Sequence, residues 1–229
     1  MAAFRRLFFV ALIAGLAAGL VVSVIHAVKL WPMIAQAEVF EAAAPHAEHG
    51  GDGQEWTPEG LMRPALSVLF NIAAGIGFGL ILNAVIRLRT LAAGQELTPA
   101  QGVLWGLAGF AAFTLAPAIG LPPELPGMDS GDVLHRQLWW VAAVLCSAAA
   151  LALWVFRSGS WRFVAVMLAL IPHLAHVPHG DMHGQAHGGG VPPELAAHFV
   201  AASLAASAVF WVVLGGVSGW AQQRWARAA

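Results

Sequence analysis

Charge is what this sequence most lacks. Of 229 residues, 11 are Lys or Arg and 12 are Asp or Glu, 10% in all, while 59% are apolar. Ordinary globular chains carry roughly 25% charged residues, and a water-facing surface cannot be built from so few. Lipid is the solvent that fits. The formal net charge of −1 gives no reason to expect nucleic acid as a partner. Cysteine is nearly absent too: with Cys146 alone, neither an intramolecular disulfide nor a cysteine-based metal site can form. No stretch reads G-x-x-x-x-G-K-[ST], so the chain shows no phosphate-binding loop of its own. Any uphill transport must then draw on a gradient or on another subunit. The methionines, such as Met33, Met128 and Met182, are scattered, which argues against a Cu(I) site built on soft ligands.

What is present is a set of long uncharged windows: Leu7–Val28, Pro64–Ile86, Leu97–Pro123, Gln137–Phe156, Phe163–Gly180 and Leu195–Gln223. Each approaches or exceeds the ~18–20 residues that a spanning helix needs. In the fifth, Pro172, Pro178 and three histidines shorten the apolar part, and a five-span reading stays open. The pattern predicts an all-α, polytopic membrane bundle of about six helices forming one integral membrane domain over residues 1–229. Its outer loops are expected at 31–61, 121–135 and 179–193, giving three helical hairpins in series.

The positive-inside rule orients these spans. With both termini inside, Arg5, Arg6, Arg87, Arg89, Arg157, Arg162, Arg224 and Arg227 are cytoplasmic, and only Lys29, Arg63 and Arg136 are outside. The acids reverse the pattern, with Glu96 alone inside. Trp31, Trp139 and Trp140 fall near outer span ends and Trp105, Trp154, Trp161 and Trp220 near inner ones, where amphipathic rings anchor. The spacings Gly15-x-x-x-Gly19, Gly102-x-x-x-Gly106 and Gly215-x-x-x-Gly219 would let helices approach closely. Arg5, Arg6, the first apolar run and Ala35-Gln36-Ala37 imitate a cleavable signal, but the run exceeds the ~7–15 residues of a signal core. An uncleaved first helix is expected.

Ten histidines carry the chemistry, and on this map every one lies in an outer loop or at an outer span end: His26, His46, His49, His135, His173, His176, His179, His183, His187 and His198. Their neighbours are acidic, with Glu48, Asp52 and Glu55 beside the first group and Asp181 within the later one. Neutral imidazole suits Co²⁺, Ni²⁺, Zn²⁺ and Cu²⁺. The glycines of the later run make a loop that would capture metal loosely, and a solvated spacer with adventitious metal affinity is the bland reading of the same composition. His173 and His176 sit at the membrane interface, where an ionisable group usually has a reason. Inside the spans the polar residues are few: Ser67, Asn71, Asn83, Thr114, Ser147, Ser203 and Ser207, with no carboxylate near mid-depth. A cation path must therefore use backbone carbonyls and amides, or be completed by a homo-oligomer or a partner.

The chain also resembles a known family. The residues that carry the likeness are Gln36-Ala37-Glu38-Val39-Phe40-Glu41, Leu104-Trp105-Gly106-Leu107-Ala108-Gly109-Phe110, Gly120-Leu121-Pro122-Pro123-Glu124-Leu125-Pro126-Gly127, Arg136-Gln137-Leu138-Trp139-Trp140, Ile171-Pro172-His173 and Phe210-Trp211 to Ser218-Gly219-Trp220. Together these are similar to the CbtA family of probable cobalt transporter subunits, over essentially the whole chain. The resemblance implies a multi-pass protein of the bacterial inner membrane, linked to cobalt uptake for cobalamin synthesis, with a very small single-span, histidine-bearing CbtB-like partner. It implies five spans rather than six. Matched pattern residues are Glu38, Glu41, Glu124, Arg136 and His173, and Phe40 stands where Tyr is expected.

The resulting expectation is a non-enzymatic membrane subunit for uptake of a divalent metal, Co²⁺ ahead of Ni²⁺ or Zn²⁺, surrounded by lipid and holding no tight cofactor. The loops bearing His46, His49, His176, His179, Asp181, His183 and His187 would collect the ion. Glu38, Glu41, Glu124 and His173 would ring an entrance, with Arg136 paired to Glu124. The rival readings are a metal-sensing or assembly subunit without its own pathway, and a His-box di-iron membrane oxidase. The second wants converging His clusters, and this chain has no His-His pair.

Overall fold

Local sequence sets the helix boundaries. The computed structural model describes residues 2–43, 60–93, 97–128, 131–175 and 190–226, and their regular structure is entirely helical. Helix α1 (Ala2–Ile25) passes through a π turn, His26–Leu30, into α2 (Trp31–Ala43). Then follow α3 (Met62–Ala93), α4 (Pro99–Phe110), α5 (Ala116–Gly120), α6 (Val133–Phe156), α7 (Trp161–Leu174) and α8 (Pro193–Ala226). A second π turn, Ala111–Leu115, carries α4 into α5 without a break. Thr98 starts α4 with a capping box: its hydroxyl accepts from the Gln101 N–H at 3.3 Å while Gln101 Oε1 accepts from the Thr98 N–H at 3.0 Å. Asp132 starts α6 by accepting from the His135 N–H at 2.7 Å. Pro193 and Glu194 open α8, where a ring without an N–H and an acid both suit the first turn.

Among the described residues five helical stretches are long and apolar enough to cross a membrane: Phe4–Glu41, Met62–Leu91, Pro99–Gly120, Val133–Phe156 and Pro193–Trp225. The expected fifth window, Phe163–Gly180, is shorter than the sequence suggested. Its described helix is α7, 14 residues ending at Leu174, or about 21 Å of rise against a hydrocarbon core of about 30 Å. Pro172 lies in its last turn and cannot propagate the hydrogen-bond ladder. The expected outer loop 31–61 also changes character. Its first 13 residues are α2, which prolongs the first span well beyond what a bilayer requires.

Successive passes run antiparallel. Gly15 lies on the backbone of Gly75 and Ile76, and Gly19 on that of Asn71 and Ile72, so α1 and α3 touch backbone to backbone. Gly102 and Gly106 meet Gly215, Gly219 and the Trp211 carbonyl in the same way across α4 and α8. All three small-residue spacings read from the sequence are thus contact surfaces, and each would be blocked by a single added Cβ. In lipid, where no hydrophobic difference drives helices together, such close approach supplies the dispersion contacts that do. Buried polar groups are mostly satisfied between helices, as lipid demands. Asn83 donates to Gly79 O at 2.8 Å and to Ser218 Oγ at 2.9 Å, and accepts from Gln222 Nε2 at 2.7 Å.

The packing leaves one pair apart. Helices α1, α3, α4 and α8 share the glycine-lined contacts, whereas α7 packs almost wholly on α6. The α6–α7 hairpin joins the rest chiefly through the second π turn and α5. One end of the bundle gathers Arg5, Arg6, Arg87, Arg89, Arg157, Arg162 and Arg224, several of them stacked on rings: Arg89 on Phe156, Arg162 on Trp154 and Arg224 on Trp220. The other end gathers Glu38, Glu41, Glu124, Asp132 and Glu194. That is the candidate site.

Candidate metal entrance

At the acid-rich end, α2 stands over the segment that links α5 to α6. Leu125, 3% exposed, packs into the same apolar cluster as Leu30 and Ala37, with Met33, Met128, Val191 and Leu195 around it. Gly127, at φ +80, turns that segment beneath Glu41, and a Cβ added there would stand 3.2 Å from the Glu41 Cβ. Gly190 lies beneath Phe40 in the same manner. Two segments distant in sequence are therefore seated on the face of α2 that bears Phe40 and Glu41.

Two of the three expected entrance carboxylates are ion-paired. Glu124 Oε2 lies 2.7 Å from Arg136, with only 22% and 19% of the two side chains exposed. The pairing expected from sequence is present, and it ties the α5–α6 link to the first turn of α6. Glu38 accepts from both terminal guanidinium nitrogens of Arg63, Nη1 and Nη2, at the start of α3. No local sequence signal announced that second pair, because its partners are 25 residues apart on different helices.

His173 lies one side chain further along. Trp139 follows Arg136 by three residues on α6, so both project from one face. Its indole N–H donates to the Pro172 carbonyl at 3.0 Å, satisfying one of the C-terminal carbonyls that α7 cannot pair internally. The same indole ring meets the His173 imidazole edge-on, with centroids 5.6 Å apart, and covers Gly120 on its other side. His173 Nδ1 is buried and meets no hydrogen-bond partner among the described residues. A buried imidazole nitrogen without a partner is costly, and it remains available to a ligand. Sequence reasoning treated Trp139 as an interfacial anchor; its role in seating α7 depends on a contact between α6 and α7 that only folding creates.

Away from this line, His26 is engaged otherwise. Asn71 Nδ2 donates to Ser23 Oγ at 3.1 Å and approaches His26 Nδ1 at 3.3 Å, while Ser23 donates to Gly19 O at 2.7 Å. With the serine proton committed to Gly19, the amide N–H must face both groups, so His26 Nδ1 accepts and Nε2 carries the proton. His135 lies beside its cap, Asp132, at 3.0 Å, largely exposed. His46, His49, His176, His179, Asp181, His183 and His187 lie outside the described residues. Among the described residues no three His, Cys, Asp or Glu side chains converge as a group able to hold a metal. Glu38, Glu41, Glu124 and His173 share an end of the bundle without forming one cage.

A helical bundle with five stretches able to span a bilayer, arginine at one end and acid at the other, is a multi-pass membrane protein. The chain belongs to the CbtA family: the family described as probable cobalt transporter subunit (CbtA) matches residues 4–223, nearly its whole length. As a subunit by description, it works within a transporter complex. None of the curated proteins and none of the solved structures matches it.

Proposed function

We propose that this chain is the membrane subunit through which a divalent metal, cobalt first among borderline ions, enters at the acid-rich end and passes toward the arginine-rich end. The observation that carries the reading is His173. A ring nitrogen that is buried and without a partner among the described residues lies against Trp139, about one turn along α6 from the Arg136 that pairs with Glu124, within a family of cobalt transporter subunits. Imidazole nitrogen with carboxylate oxygen suits borderline divalent cations. Glu41 stands over the same segment that carries Glu124, and the outer loops with His46, His49, His176, His179, Asp181, His183 and His187 would raise the local ion concentration above it.

With the acid-rich end outside, direction follows from sidedness: the bacterial inner membrane would carry its arginines on the cytoplasmic face, and transport from the acid-rich end is uptake. The glycines of α1, α3, α4 and α8 bring backbone against backbone, so the path would be completed at α6–α7 with a second polypeptide. A small single-span CbtB-like subunit suits that place. The test is Co²⁺ uptake into proteoliposomes holding this chain alone or with its single-span partner. Uptake that requires His173 in either preparation supports the reading. Binding without uptake in both would make this chain a sensing or assembly subunit.

A further inference from the structure

Between α3, α4 and α6 the bundle is not closed. An apolar groove of about 580 Å³ runs from the arginine-rich end inward, with Arg89, Thr90 and Gln101 at its mouth. It exists because α6 packs on α5 and the second π turn but touches α4 little and α3 hardly at all. Its inner limit is an aromatic cluster: Phe113 packs on Trp211 at 5.5 Å and on Trp140 at 6.3 Å, and Phe78 on Trp211 at 5.2 Å.

The groove does not suit the transported cation. It offers almost no ligand atoms, none of its lining residues is acidic, and Arg89 holds a positive charge at its mouth. Its depth is informative. The wall along α4 and the second π turn runs from Gln101 to Phe113, about 18 Å of helix rise, against about 15 Å for half of a 30 Å hydrocarbon core. A spanning helix of a partner would need a groove about twice as deep. An acyl chain of one leaflet fits.

The mouth supplies the rest of an amphiphile's requirements. The Arg89 guanidinium lies over the Phe156 ring, 4.7 Å from its centroid, which fixes its plane and leaves edge N–H groups free. Among the described residues Arg89 has no carboxylate partner. Gln101 adds a neutral donor, its Nε2, beside it, while the Thr90 hydroxyl donates to the Arg87 carbonyl at 3.1 Å. We propose that this groove is a binding site for an anionic phospholipid of the arginine-rich leaflet, one acyl chain lying against α3, α4 and α6 and its phosphate on Arg89. A lipid there would fill the gap between the α6–α7 hairpin and the helices that carry the glycine contacts.

The experiment is native mass spectrometry of the detergent-purified full chain, titrated with phosphatidylglycerol or phosphatidylcholine of matched acyl chains. The wild-type chain should retain phosphatidylglycerol preferentially. Arg89→Gln should weaken that retention about fivefold, the contribution of one arginine near an anionic surface, and Arg89→Lys should largely restore it. Ala152→Phe, which fills the groove from α6, should lower retention of both lipids. Melting of each variant in detergent, compared with wild type, reports whether it is folded. Equal retention of the two lipids by the wild-type chain would overturn the proposal, as would an Arg89→Gln variant that binds phosphatidylglycerol unchanged. A second copy of the chain in the groove, seen as a dimer abolished by Ala152→Phe, would also overturn it.

Discussion

Glu124 and Arg136 meet at 2.7 Å with about four-fifths of each side chain out of contact with solvent. Their pairing fixes the turn between α5 and α6 on the first turn of α6, about one turn before Trp140, the α6 member of the aromatic cluster at which the groove stops. Loss of one partner strands the other in a poorly solvated place. Glu124→Gln should therefore destabilise the protein by roughly 2 kcal/mol, between exposed and fully buried pairs. The check is protein abundance and melting in detergent. The exchange Glu124→Arg with Arg136→Glu should recover most of the loss, and failure to recover would mean that Glu124 serves something other than this partner.

His173 separates transport from scaffolding. His173→Ala removes the unpartnered nitrogen and should abolish Co²⁺ uptake while abundance stays near normal, since Trp139 still holds Pro172. Trp139→Phe removes the indole N–H that meets the Pro172 carbonyl and shortens the ring that packs on Gly120. It should cost about 2–3 kcal/mol in melting, from the lost hydrogen bond and the space left behind, with uptake reduced rather than lost. Undiminished uptake by His173→Ala would sink the entrance reading.

Glycine placement gives a paired comparison. Gly106→Leu drives a side chain into the Trp211 carbonyl, whereas a Cβ on Gly77 meets nothing within 4 Å. Gly106→Leu should cost several kcal/mol, beyond the ~1–3 kcal/mol of ordinary overpacking because backbone must move, and should leave little folded protein. Gly77→Leu should be neutral or slightly stabilising, as glycine within a helix is unfavourable. Melting of the two variants decides it.

Whether α7 crosses the bilayer is directly measurable. In a Cys146→Ser background, Ser158→Cys before α7 and Ala175→Cys after it should label from opposite sides with an impermeant thiol reagent. Labelling of both from one side would make α7 a re-entrant helix. It would also bring the loop after α7 to the same face as Arg157.

The outer histidines are tested by uptake at two metal concentrations. Replacing His46, His49, His183 and His187 together should weaken Co²⁺ uptake when metal is scarce and leave it nearly unchanged when metal is abundant, if these loops only concentrate the ion. An equal loss at both concentrations would place them on the obligatory path.

Composition and spacing determined a good deal. So few charges point to a membrane protein, in which lipid leaves backbone groups no partner outside a helix or a closed barrel, and uncharged windows as long as a spanning helix select the helical bundle. The small-residue spacings placed the contacts of Gly15, Gly19, Gly102, Gly106, Gly215 and Gly219 correctly, because helix period is local and close approach needs nothing beyond the missing Cβ. Family resemblance supplied Glu124, Arg136 and His173. Only the tertiary structure decided how these meet. The Glu38–Arg63 pair, the Trp139 indole on Pro172 and His173, and the early end of α7 arise from contacts between helices whose relative rotation no local pattern encodes. The groove is the extreme case. It exists because α6 packs on the second π turn and hardly touches α3, and how helices pair and cross follows from packing the whole bundle rather than from any one segment.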